Sequence, residues 1–146
     1  MQSDSAIGQL ADSEWVAFIV KLEAAEHEFA LGRPAAFKAL WSHGDEVSIC
    51  GAFGGVESGS EKVAARLDWA SSQFSEGTRS RGEIKSVVGA DFAYIVQTEL
   101  IRFRASGRTE RVTLELRVTM VFRREADEWR IVHRHADSKT SRQPPK

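Results

Sequence analysis

His133 and His135 stand two residues apart near the end of the chain, in the run Trp129-Arg130-Ile131-Val132-His133-Arg134-His135. Residues two apart on a β-strand point to one face, so the pair is expected to share a face. A histidine in that setting is suited to take or give a proton near neutral pH. The bland alternative is a pair of hydrogen-bonded histidines packed at the rim of a core. A metal would need a third ligand, such as Glu99, Asp45 or His43. The spacing matches no strong metal pattern, so no metal site is expected. Glu99 lies in a strand with Ile95, Ile101 and Phe103 on its own face. Such neighbours favour the protonated carboxyl, which suits a proton shuttle. Its facing depends on the loop that follows: a three-residue loop in place of a two-residue one turns Glu99 outward. Asp45 follows a helix end and precedes a strand, as a turn residue or as a rim carboxylate near Trp41.

The elements that must position these groups follow from periodicity. Val112, Leu114, Leu116, Val118, Met120 and Phe122 alternate with Arg111, Thr113, Glu115, Arg117 and Thr119, which predicts one long half-buried strand. Closing the turn on Ala126-Asp127 sets Phe122 on the face of Trp129, and Val118 and Met120 on the face of His133. One apolar face then carries both histidines at its far end, and helices must cover it. The front of the chain supplies them. Asp12 or Ser13 caps a helix whose stripe is Trp15, Phe18, Ile19, Leu22 and Phe29, with Glu23, Glu26 and Glu28 on the wet side. Gly32 stops it, and Pro34 opens a short second helix bearing Phe37, Leu40 and Trp41.

Val47 to Phe53 reads as a strand broken by Gly54-Gly55. Ser58 or Ser60 caps a third helix with a stripe of Val63, Leu67, Ala70 and Phe74. Trp69 falls off that stripe, as a pocket or interface aromatic or a merely half-exposed one. Gly77 ends the region, and strands follow at Ile84–Val88 and Phe92–Arg104. The expected fold class is α+β: a cone-shaped, curved, mostly antiparallel sheet wrapped around three N-terminal helices. Residues 1–11 are expected to be a flexible N-terminus, 12–137 a single domain, and 138–146 a disordered tail.

A chain of 146 residues, 42% hydrophobic and 28% charged, suits one soluble domain with a real core. A formal net charge of -1 implies no bulk attraction to nucleic acid or anionic membrane. The arginines of the second half alternate with glutamates, as on a solvated sheet face. Cys50 has no second cysteine to pair with and reads as a buried, inert thiol. No stretch is long enough to span a membrane and no leader is evident, so a cytoplasmic location is expected. Phe53-Gly54-Gly55 lacks the lysine of a phosphate-binding loop.

The segment LRVTMVFRREADEWRIVHRHAD, Leu116 to Asp137, resembles the closing hairpin of the nuclear-transport-factor-2-like superfamily, in particular its SnoaL-like and ketosteroid-isomerase-like members. Trp41 to Gly59, with its strand entered through Asp45 and its Phe53-Gly54-Gly55, is similar to the same family. The resemblance spans roughly residues 12 to 137. It implies a curved sheet closing on a pocket for a small, mostly apolar organic molecule, and assembly as a homodimer through the outer sheet face. Trp41, Phe53, Trp69 and Met120 are the expected lining. His133, His135, Glu99 and Asp45 are the expected catalytic groups of a cofactor-independent isomerase, cyclase or dehydratase. A non-catalytic ligand-binding or oligomerisation module is the alternative. The hairpin is also similar to that of the association domain of calcium/calmodulin-dependent kinase II, which binds small carboxylates through pocket arginines. Those positions fall here on Val96, Met120 and Ala136, which argues for a different ligand chemistry.

Overall fold

Apolar residues at helical spacing draw the first helix onto the sheet. The computed structural model describes residues 4–138 and 141–145, with side chains from Ser13 onward in that range. Helix α1 (Asp4–Ala30) buries Trp15, Phe18, Leu22, Ala25, Glu26 and Ala30. It begins well before the expected caps Asp12 and Ser13. Only residues 1–3 of the expected flexible N-terminus lie outside the described residues. Glu26 departs from the wet face assigned to it. It stands four residues after Leu22 and three before Phe29, within the buried stripe, and is 5% exposed. Gly32, at φ +86°, ends the helix by donating its N–H to the Phe29 carbonyl at 3.0 Å. The short α2 (Ala35–Ala39) buries Phe37.

The strands are β1 (Ser48–Cys50), β2 (Val56–Ser58), β3 (Phe74–Val88), β4 (Phe92–Ala105), β5 (Arg111–Glu125) and β6 (Glu128–Ser138), with α3 (Ser60–Ser72) between β2 and β3. They form one open, curved, six-stranded sheet in the order β2-β1-β6-β5-β4-β3. Neighbours are antiparallel except β1 and β6, which run parallel and tie the front of the chain to its last strand. The α+β architecture is the expected one. Beyond Ser138, residues 141–145 carry no regular secondary structure, and Lys139, Thr140 and Lys146 lie outside the described residues.

Two departures matter for the site. Strand β3 starts at Phe74 and runs through Gly77, where a break was expected. The register slips between Ser75 and Thr78. A Cβ on Gly77 would run into the carbonyl of Ala30, so only glycine lets β3 pass this close to the end of α1. The second departure lies in the last hairpin. Ala126 and Asp127 form a two-residue turn at φ +50° and +65°, whose twist suits a tight hairpin. Phe122 pairs with Ile131, as expected, but Val121 pairs with His133. Val132 is therefore an extra residue on β6, a bulge. Beyond it the facing reverses: Met120 lies opposite Arg134, and Val118 opposite Ala136. His133 and His135 consequently point to the outer face, against the expectation that they join the apolar one.

Inside, Trp15 packs edge-on against Phe122 and Trp129, with ring centroids 5.1 and 5.2 Å apart. Met120, Phe122 and Ile131 are fully buried beneath α1 and its neighbours. On β4 the alternation Ala93, Ile95, Gln97, Glu99, Ile101, Phe103 faces inward and is buried.

Candidate active site

Four charged side chains from four elements meet on the concave side of the sheet. The stripe of α1 aims Glu26 at it. The Gly77 crossing delivers Arg79 from β3, Glu99 comes from β4, and the Val132 bulge turns Arg134 of β6 inward. Their side chains retain 6%, 4%, 0% and 14% of their exposure, respectively. Arg134 grips Glu99 with both terminal nitrogens, Nη2 to Oε1 at 3.0 Å and Nη1 to Oε2 at 3.1 Å. Gln97 Nε2 donates to Glu99 Oε2 at 2.7 Å, and Arg79 Nε to Glu99 Oε1 at 3.4 Å. Arg79 Nη2 also pairs with Glu26 Oε2, and Arg134 Nη1 lies 4.0 Å from the same oxygen. Outside this ring, Arg81 Nη1 donates to Gln97 Oε1 at 3.3 Å and pairs through Nε with Glu23.

The donors are divided unequally, and the protonation states follow. Burial penalises both carboxylates. For Glu99 the attraction and hydrogen bonds of Arg134 and Arg79 override it and hold the carboxyl well below its usual range. Glu26 has the weaker claim on the guanidinium groups. Burial first, and then the negative charge of Glu99, push it up to about 7 against the pull of Arg79, Arg134 and Arg81. Arg134 is buried, yet Glu99 and Glu26 keep its pKa raised and its charge in place. Near neutral pH the centre thus holds one permanent carboxylate and one that gains or loses a proton easily. Arg79 Nη2 lies within ion-pair range of both carboxylates, 3.0 Å from Glu99 Oε2, so its charge is shared between them.

These groups form the polar end of a cavity whose walls include Phe29, Phe37, Ile49, Phe53, Leu67 and Phe74. A volume of about 70 Å³ is open there to the centres of water-sized molecules, several times the ~10–15 Å³ that one water requires. An apolar body with a single carbonyl or acidic end fits such a lining. A divalent cation does not, because two guanidinium groups already occupy the carboxylates.

The expected site residues are dispersed by the fold. Glu99 is in the cavity, Phe53 stands at its mouth, and Met120 lies beneath Arg134, whose Nη1 is 3.6 Å from its sulfur. Trp69, 45% exposed, packs edge-on against Phe53 at 5.7 Å and carries Arg66 over its ring at 4.4 Å. Trp41 is buried behind a second cleft of about 380 Å³ between α2 and α3. Asp45 is exposed in the turn before β1. His133 bonds Ser48 through Nδ1 at 2.7 Å on the outer face, and burial lowers its pKa. His135, beside it, is half exposed. Neither lines the cavity. Sequence reasoning missed Glu26, Arg79 and Arg134. Arg79 and Arg134 enter the cavity from positions other than Val96, Met120 and Ala136.

No curated protein matches the chain. Among solved structures, the chain is similar to a protein of Streptomyces avermitilis provisionally named a dehydratase of the nuclear-transport-factor-2-like family. That pair is 20% identical, covers 90% of this chain and 99% of the other, and has a TM-score of 0.76. It is also similar to a protein of Thiobacillus denitrificans provisionally named a calcium/calmodulin-dependent protein kinase type II association domain (23% identity, 82% and 90% covered, TM-score 0.67). A third is the hexachlorocyclohexane dehydrochlorinase of Novosphingobium barchaimii (12% identity, 90% and 91% covered, TM-score 0.71). At these identities the likeness is one of fold. The model of the SnoaL-like domain matches residues 22–138, and with the helices, the curved sheet and the enclosed polar centre it places this chain in the SnoaL-like family.

Proposed function

We propose that the protein binds a small, largely apolar carbonyl compound in the cavity and moves a proton on it, as an isomerase, cyclase or dehydratase without a cofactor. The observation that carries this reading is the pair of buried carboxylates in one apolar-walled cavity, one pushed up to about 7 and the other held ionised. Carboxyls driven apart in this way divide acid–base work between them. Glu26 is the proton carrier: ionised, it takes a proton from a carbon next to the carbonyl. The positive charge of Arg79, between the two carboxylates, offsets the negative charge that develops on the carbonyl oxygen. Protonated Glu26 then returns the proton, to another carbon in an isomerisation or to a departing hydroxyl, as water, in a dehydration. Glu99 holds the two arginines in place. Eliminations are what the names of the dehydratase and the dehydrochlorinase above describe, and those proteins share the fold.

The test is carbon-bound deuterium exchange, followed by NMR, over a panel of small ketones, enones and β-hydroxy carbonyl compounds. The wild type is expected to catalyse exchange in a compound that also raises its melting temperature. Glu26→Gln should lose about 10²–10⁴-fold of that rate. Exchange that survives in Glu26→Gln would overturn the mechanism. A second reading, binding without catalysis, is favoured by the closed pairing of Glu99 with Arg134 and Gln97. Compounds that stabilise the protein yet exchange no proton would establish it.

A further inference from the structure

We propose that Cys50, His133 and His135 form a zinc site on the outer face of the sheet. The parallel pairing of β1 and β6 sets Cys50 opposite His135 and Ser48 opposite His133. The bulge at Val132 puts both histidines on the face that Cys50 shares. One ligand atom from each of the three residues lies within 4.8 Å of the other two. A tetrahedral zinc at about 2.0–2.3 Å from each ligand holds neighbouring ligand atoms ~3.5 Å apart, so side-chain rotation closes the set without moving the strands.

The donor chemistry is matched to the metal. One thiolate and two imidazoles are the borderline-soft ligands that zinc prefers over the oxygen sets of magnesium or calcium. The Nδ1 of His133 is 2.7 Å from the Ser48 hydroxyl, which leaves Nε2 for the metal and fixes the ring, as an outer-shell partner does. His135 Nε2 is 3.8 Å from an Asp137 oxygen. Asp137 is itself held by Arg117 at 2.8 and 3.0 Å, so the ring is steadied without a free carboxylate competing for the ion. Cys50 and His133 are half-buried and His135 is exposed. Three protein ligands on an accessible face leave the fourth position to water or to a donor from outside the chain.

The experiment uses the full chain, stripped with chelator and titrated with zinc or cobalt(II) alone. One zinc per chain is expected. Cobalt should give the near-ultraviolet thiolate charge-transfer band and the strong visible bands of a tetrahedral centre. Cys50→Ser must remove the charge-transfer band. His135→Ala, at an exposed position that leaves folding intact, should weaken zinc by more than about 100-fold. Ser48→Ala, as a positioning change, should weaken it by about 10–100-fold. His43→Ala, outside the cluster, should change nothing. Absence of the charge-transfer band in the wild type overturns the proposal, as does zinc held equally well by Cys50→Ser and His135→Ala.

Discussion

Strand β6 carries two regions of opposite character within three consecutive residues. Arg134 is buried in a ring of charges with Glu99, Glu26 and Arg79, while His133 and His135 on either side of it face outward with Ser48 and Cys50. Both regions hold groups able to do chemistry, but their surroundings differ. Inside, low exposure makes each charge dependent on its partner and drives the pKa values of Glu26 and Glu99 apart, one up and one down. Outside, the histidines and the thiol are near enough to water to accept an ion. Composition does not assign the two roles. One extra residue, Val132, decides which side chains go where.

Arg134→Ala should break the inner region and has the largest expected effect: it strips Glu99 of its two-pronged partner and should cost about 3–5 kcal/mol in urea denaturation. Deleting Val132 sharpens the comparison. It removes the unpaired residue and leaves Phe122 opposite Ile131, Val121 opposite His133 and Met120 opposite Arg134, so the regular ladder keeps Arg134 inside and the histidines outside. The variant should fold and lose less stability than Arg134→Ala by the same measurement.

The pH dependence sharpens the contrast further. Glu26 titrates at about 7 in the folded chain against 4.5 as an ordinary glutamate. Between those values the folded state holds the extra proton, so stability should fall as pH rises across that window, by at most about 1.4 kcal/mol per pH unit. Glu99 is lowered, so its contribution is present above its unfolded value and is lost only in stronger acid. Glu26→Gln should therefore flatten the profile between pH 4.5 and 7 while leaving acid unfolding in place. A slope that persists in this variant would place the titration on another group. The smallest effect belongs to the outer region: His135→Ala, half exposed, should change stability by less than about 0.5 kcal/mol in the absence of metal.

Much of the architecture is legible in periodicity. The stripe of α1, the alternation of β4 and β5 and the turn at Ala126-Asp127 appear in the fold as their spacing predicts. The inward facing of Glu99 agrees with its apolar neighbours on β4. Glu26 was also within reach, because four residues after Leu22 and three before Phe29 is the buried side of a helix, whatever the residue type. Charge alone suggested the wet face. The start of β3 was hidden by its polar sequence, Ser75 to Arg81, which has no apolar alternation to count. That segment is a strand because its backbone pairs with β4 and because Gly77 lets it pass α1.

Local sequence therefore determined the elements, their order and the inward face of each long strand, since these follow from periods of 3.6 and 2 along the chain. Only the tertiary structure decided the site. A bulge is set by the pairing of two strands and has no signature in either one, and the Val132 bulge exchanged His133 and His135 for Arg134. Low exposure, which no single segment contains, then made four scattered charges into one centre with a proton to move.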